Sequence, residues 1–350
     1  MPAKLKTKDN TATYSGKASA DTPGTPSRRA DQSIFATMTE PDRTTSDYAS
    51  HAPTYHTNKD SPYVLPNGGP EHARLETQAR HLSAIMGGRV IHSPILDNAV
   101  ERILDVGCGT GVVSDHLARS FPTADVIGLD LSPVPQLRDR PSNVRFVQGN
   151  ILTDSPSEWK ASRDSESRER SQKLPDEAAF DLIYSRLLVC GMSEWPRYIR
   201  KEFSLLKSGG WAEVHDVDWI WYDKQDRIIS DDWPWWRELR SVGESRGLDF
   251  SCASRAQQWM KDAGFVDVQF NTYRWPFGGK WEKEKVWQEF GDYGSSAMTD
   301  MVWHMVPRMM EGRPGVTSET IDQMRADMKR DFAPEEGKHW VFYATCGRKP

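Results

Sequence analysis

No stretch of this 350-residue chain holds the roughly eighteen consecutive apolar residues that a membrane-spanning helix requires. Cysteine is scarce. Cys108, Cys190, Cys252 and Cys346 have neither metal-ligand spacing nor the density of a disulfide framework, so they read as reduced thiols of an intracellular protein. The His, Asp and Glu residues show no ligand spacing either, and no metal is expected. Positive charge is not in excess: the net charge is -5 and the pI about 6.0, with no basic cluster longer than Lys4 to Lys8. That balance argues against a protein that tracks a nucleic-acid backbone. Residues 1 to 47 lack the apolar segment of a secretory signal. Residues 1 to 55 are rich in Ser, Thr, Asp, Lys and Pro, too polar to offset the entropy of ordering, and are expected to be a disordered tail before a folded domain spanning 56 to 350.

What the chain does have is one informative stretch, Ile103 to Gly111. Ile103, Leu104 and Val106 read as a short buried strand, and Gly107, Gly109 and Gly111 then break it. Val112, Val113, Leu117 and Ala118 follow at helical spacing, giving strand, tight turn and helix N-terminus, where free N–H groups and a positive dipole end meet a ligand. A dinucleotide fingerprint needs glycine where Val112 stands. Asp105, just before the turn, suits a ligand carrying a cationic ammonium and sulfonium, as S-adenosylmethionine does. The next apolar run, Ala124 to Leu129, ends in Asp130, where an open α/β sheet places a carboxylate against ribose hydroxyls. Two such strand-end carboxylates resemble the cofactor site of class I S-adenosylmethionine-dependent methyltransferases.

The remaining pattern predicts a helix from Glu71 to Met86 and strands over 144–147, 180–186 and 211–218. A helix through Pro196 to Leu206 should stop at Lys207-Ser208-Gly209-Gly210. Pro133 and Pro135 leave little room for a helix after Asp130. The mixed-charge segment 155–177 reads as a surface insert. Further on come a helix over 254–263, a strand over 266–273, two or three helices within 281–331 and a last strand over 340–345. Alternation at this rhythm gives an α/β, Rossmann-like, seven-stranded sheet, mostly parallel with a final antiparallel strand, flanked by helices and carrying a helical cap. Residues 219–250 and 276–335 are the expected acceptor-side cap elements.

Several stretches together look like the fungal LaeA-like (velvet-associated) methyltransferases and their paralogues in secondary-metabolite gene clusters. They are Tyr63-Val64-Leu65-Pro66-Asn67 with Glu71, Arg74 and Leu75; Ile103 to Gly111; Val126 to Pro133; and Asn143 to Phe146. They continue with Ser185-Arg186-Leu187-Leu188, Glu194-Trp195-Pro196, Leu206 to Trp211, Ala263 to Val268 and Gly347-Arg348-Lys349-Pro350. The resemblance implies S-adenosylmethionine as cofactor, with Tyr63 to Arg74 folded over it. By the same resemblance Asp105 and Gly107 hold its methionine end and Asp130 its ribose. In this fold class Asn150 stands where a polar residue meets the adenine amino group, and Cys108, Gly109, Gly111, Leu131 and Ile151 complete the expected cofactor site. Ser185 and Arg186 lie at the cofactor or acceptor side of the fourth strand. Relatives commonly carry Gln where His215 stands and Thr where Cys108 stands.

Methyl transfer from a sulfonium asks the protein chiefly for alignment, and for a base only when the acceptor is a hydroxyl or a protonated amine. His215 is the candidate base, with Asp216 and Asp218 nearby; alternation along its strand equally allows a buried structural histidine. The tryptophans between Trp219 and Trp236 form either an aromatic acceptor pocket or a core clasp, and the Met298 to Met310 helix either core or lid. Cys108 reads as a small filler. Three functions are compatible. The first is an enzyme methylating an oxygen, nitrogen or carboxyl of a small hydrophobic secondary metabolite in the cytoplasm. The second is a nuclear LaeA-like regulator with protein partners, and the third a non-catalytic S-adenosylmethionine-binding scaffold. Nucleic acid and membrane are not expected partners, and no Asn/Asp-Pro-Pro-aromatic tetrad follows the fourth strand.

Overall fold

The computed structural model describes residues 55, 63–95, 100–162 and 174–350, so the expected tail lies outside the described residues apart from Tyr55. The strands are β1 (Arg102–Val106), β2 (Asp125–Asp130), β3 (Val144–Gln148), β4 (Lys160–Ala161), β5 (Phe180–Arg186), β6 (Leu206–Tyr222), β7 (Val266–Pro276) and β8 (His339–Arg348). They form one sheet in the order β4-β3-β2-β1-β5-β6-β8-β7. β1, β2, β3, β5 and β6 run parallel, and β8 lies antiparallel between β6 and β7. To the expected seven strands the structure adds an eighth: β4, two residues of the mixed-charge insert, pairs antiparallel with the free edge of β3.

Alternate residues of the same strands feed two cores, because successive side chains leave opposite faces of a sheet. Ile103, Val126, Leu182 and Tyr184 belong to one, with Val113 and Leu117 of α2 (Val112–Ser120). Leu104, Ile127, Ile183 and Val214 belong to the other, with Tyr198 and Ile199 of α3 (Trp195–Leu205) and Ala256 and Met260 of α5 (Cys252–Asp262). The strands are apolar almost throughout because both faces are covered. No helix forms between β2 and β3, as the prolines predict.

Two differences from expectation shape the molecule. The helix before β6 ends at Leu205, and Lys207 to Gly210 belong to the strand, inside a break of register between Leu206 and Trp211. Gly209, at φ +83°, makes that bulge possible. β6 also runs seventeen residues, so Trp219 and Trp221 are strand residues that carry the sheet beyond its parallel half. Over this extension pack α4 (Pro234–Ser245), α6 (Lys285–Met310) and α7 (Ser318–Asp331). The seam is aromatic: Trp219 and Trp221 lie 5.4 and 4.8 Å from Trp340, and Trp219 lies 5.6 Å from Trp236. α1 (Gly69–Ile85) packs against α6 from the other side.

α6 approaches the chain after β7 closely. A Cβ on Gly294 would lie 2.3 Å from the Pro276 carbonyl oxygen, and one on Gly291 2.6 Å from the backbone of Gly278. Backbone atoms give way less easily than side chains, so Gly294→Ala should lower stability by about 1–3 kcal/mol. Chemical denaturation checks this, and an unchanged midpoint would show that the helix has room to shift.

Candidate active site

The carboxyl ends of the strands surround a cavity of about 410 Å³. Its floor is the turn after β1, where Gly107, Gly109 and Gly111 sit at φ +66°, +57° and +75°, a region that residues with a Cβ rarely adopt. A Cβ on Gly107 would meet Leu188 Cδ2 at 2.4 Å. Asp130 fixes the turn from the tip of β2. Its two oxygens accept the N–H groups of Gly109 and Ser132, each at 2.9 Å. The Gly107 and Cys108 N–H groups donate to the Leu129 carbonyl, so the tips of β1 and β2 are tied together.

Asp105 is buried in the wall and accepts from Ser114 of α2 at 2.6 Å. Burial pushes its carboxyl up to about 7, against the opposing pull of the Ser114 hydroxyl and the Arg186 guanidinium. The Tyr63 hydroxyl is held well above its ordinary value by burial and by Glu71. On α1, Arg74 forms a two-pronged pair with Glu71 at 2.7 and 2.5 Å, and its third nitrogen reaches the Tyr293 hydroxyl on α6 at 3.3 Å. The Tyr63 to Gln78 segment thus forms one whole wall of the cavity.

Of the residues singled out in the sequence, Tyr63, Asp105, Gly107, Cys108, Gly109, Asp130, Leu131, Asn150, Ile151 and Arg186 line this single cavity. Asn150 accepts from the Leu152 N–H at 3.0 Å. Cys108 is a filler: its sulfur lies 2.9 Å from where a Cβ on Gly128 would be, and burial pushes its thiol well up. Gly111 does not face the cavity. It starts α2 and leaves space for Phe146 and Arg140. Ser185 is fully buried between β1 and β6 rather than at the wall.

His215 is a correction. It is wholly buried, away from the cavity, with Nε2 2.9 Å from Glu213 and Nδ1 3.2 Å from the Tyr184 hydroxyl. The segment after α1 covers that face of β6, and the His92 and Ser93 N–H groups donate to Glu213 at 2.7–2.9 Å. Such a histidine is not a base for a ligand in the cavity. Asp216 and Asp218 do not orient it. Asp216 accepts the N–H groups of Leu188 and Val189, and Asp218 those of Ala253 and Ser254 at the start of α5. Asp216 thereby holds the loop that presents Leu187 to Cys190 to the cavity, with Leu187 at φ +56°.

The aromatic group divides. Trp219 lines the cavity, whereas Trp221, Trp235 and Trp236 are core. The α6 methionines divide too: Met298 and Met301 face the cavity, and Met305, Met309 and Met310 are core. Trp275 and Trp340, paired across β7 and β8, complete the wall and were not singled out, since Trp340 sits in a run that reads as ordinary strand and Trp275 just past the expected end of another.

The residues present fit S-adenosylmethionine. The glycine cradle stands at positive φ that a Cβ disfavours, with Gly107 tightly packed as well, and two carboxylates at neighbouring strand tips match a donor bearing an ammonium, a sulfonium and ribose hydroxyls. Residues 79–269 match the family model described as "Methyltransferase domain". The chain is 28% identical over 244 residues to methyltransferase pytC of Aspergillus terreus, covering 69% of this chain and 68% of that protein. It is 26% identical to the secondary metabolism regulator LAE1 of Cochliobolus heterostrophus, over 73% and 78% of the two chains. Among solved structures, phosphoethanolamine N-methyltransferase 2 of Haemonchus contortus covers 79% of this chain and 52% of its own at 13% identity, with a TM-score of 0.40. At that level the likeness says nothing of function. The family match spans more than half of the sequence, and with relatives of the fungal LaeA-like kind beside it, the chain belongs to the methyltransferase-domain family.

Proposed function

We propose that this methyltransferase acts on an oxygen, nitrogen or carboxyl of a small, hydrophobic, aromatic secondary metabolite. One observation supports this most: a single cavity spans both halves of the sheet. The β3-β2-β1 half contributes glycine backbone, Asp105, Asp130 and Asn150. The β6-β8-β7 half and α6 contribute Val217, Trp219, Trp275, Trp340, Met298 and Met301. Flat apolar ligands suit such rings and thioethers.

S-adenosylmethionine is the cofactor, and when bound it supplies a methyl group already activated on a sulfonium. What the chain adds is placement. Asp130, preset by Gly109 and Ser132, stands at the tip of β2, where an open α/β sheet sets a carboxylate against ribose hydroxyls. Asp105 and Arg186 flank the charged methionine end, and the α1 wall keeps water out. The β6–β8 side brings no histidine or carboxylate to the wall among the described residues; the α1 wall brings His72 and Glu71, candidates where the acceptor needs a base. The relatives named as secondary metabolism regulators support a second reading, a regulator; on that reading we propose a nuclear protein with protein partners, and on the first a cytoplasmic enzyme. No helix among the described residues is long and apolar enough to cross a membrane. Imaging of a tagged chain with and without residues 1–55 separates the two readings. Incubation with labelled S-adenosylmethionine and metabolite extract tests the first, and label appearing only in protein would overturn it.

Asp130→Ala should weaken cofactor binding about 100-fold, the worth of two hydrogen bonds to a charged group. Equal affinities in calorimetry would reject the ribose assignment. A cation beside Asp105 favours its charged form. Affinity should therefore be full above the free carboxyl's value of about 7 and fall as pH drops through it, by about tenfold between pH 8 and pH 6. Asp105→Asn should flatten that profile, and a profile that stays unchanged would place the cation elsewhere. Met301→Ala should raise the acceptor KM about tenfold while leaving cofactor affinity as it was.

A further inference from the structure

Away from the cavity, three side chains converge beneath the segment that follows α1. His92 Nδ1, Glu213 Oε2 and His215 Nε2 all lie within 4.8 Å of one another. The two nitrogens stand 3.9 and 2.9 Å from the same carboxylate oxygen. Around a tetrahedral ion with bonds of roughly 2.0–2.1 Å, ligand atoms sit about 3.4 Å apart, so these separations bracket the required value. The outer nitrogens of both rings meet tyrosine hydroxyls: His92 Nε2 is 2.8 Å from Tyr273 and His215 Nδ1 is 3.2 Å from Tyr184. When each ring donates its N–H outward to a tyrosine oxygen, both inner nitrogens present lone pairs to the centre.

Without an ion that arrangement leaves a polar atom unsatisfied. The His92 side chain is 96% buried, and its Nδ1 has no hydrogen-bond partner although it points at Glu213. Glu213 is itself held in place by the His92 and Ser93 N–H groups, as ligating carboxylates usually are. Two imidazoles, one carboxylate, outer partners on each ring and a buried site make up the donor set of a borderline divalent metal rather than of calcium or magnesium.

We propose that His92, Glu213 and His215 bind one divalent transition-metal ion of the zinc class, which pins the segment after α1 to β6. The three side chains leave the fourth tetrahedral position to a water, and because none of them faces the cavity the ion fastens elements together rather than meeting the substrate. The two elements it joins do face the cavity: α1 through Glu71, Arg74 and Gln78, and β6 through Val217 and Trp219. The sequence conceals this site because His92 stands 121 residues before Glu213, so no spacing rule brings them together.

The test uses the full chain, stripped with a chelator and titrated separately with Zn²⁺ and Co²⁺. Expected are one equivalent bound, a strong visible absorption from tetrahedral Co²⁺, and a thermal midpoint raised by several degrees in excess metal. His92→Ala leaves the Glu213–His215 pair intact, so the variant should fold while losing affinity by more than about 100-fold; Tyr273→Phe should lose about 10-fold. Absence of uptake by the parent chain would overturn the proposal, leaving an ordinary His–Glu pair. Uptake and a midpoint shift that His92→Ala leaves untouched would overturn it as well, by locating the ion elsewhere.

Discussion

The carboxylate of Asp130 is the joint on which the cofactor half of the molecule rests. By accepting the N–H groups of Gly109 and Ser132 it clamps two loops from different strands, and the carbonyl of its neighbour Leu129 takes two more N–H groups from the same turn. The glycine cradle is therefore held before any ligand arrives. Pre-set donors and acceptors cost no reorganisation when a ligand binds, which is where a methyltransferase gains most, since its reaction asks chiefly for alignment. Asp105 adds the complementary tension. A carboxyl buried in that wall is only half willing to ionise, and a cationic partner resolves the conflict.

The acceptor half is built differently, by lengthening one strand. Because β6 continues to Tyr222, β7 and β8 extend with it, and three helices can be laid over the added surface. Tryptophan fills the seam because large rigid rings bury much area at little conformational cost, and the rings that reach the edge of the seam, Trp219, Trp275 and Trp340, become cavity wall. Core and pocket are thus one continuous aromatic layer, so a change in either is felt by both.

Local signals were legible in the sequence. The glycine turn, the acid ending β2 and the prolines that forbid a helix before β3 each act within a few residues, and each stands where its chemistry requires. What was illegible depended on coverage. The pattern around His215 fixed its alternation along β6 but could not say that the segment after α1 would roof that face. The same long-range packing gathers His92 to it and turns Asp216 to hold Leu188 and Val189 instead. Trp219 to Tyr222 ran on as strand because Trp219 and Trp221 met Trp235 and Trp236 of α4 on one face while β8 paired along the edge. Trp275 and Trp340 became wall through pairing with each other, which neither run announces.

The stitch from Arg74 to Tyr293 joins residues 219 positions apart. α1 meets the first half of the chain early, with Leu75 beside Gly109 and Glu76 paired with Arg138, but Arg74 gains its partner on α6 only when that helix has been synthesised. The pocket is consequently finished late in biosynthesis, and a truncated product ending before α6 would keep the glycine loop and Trp219 yet lack Met298, Met301 and Trp340 from its wall.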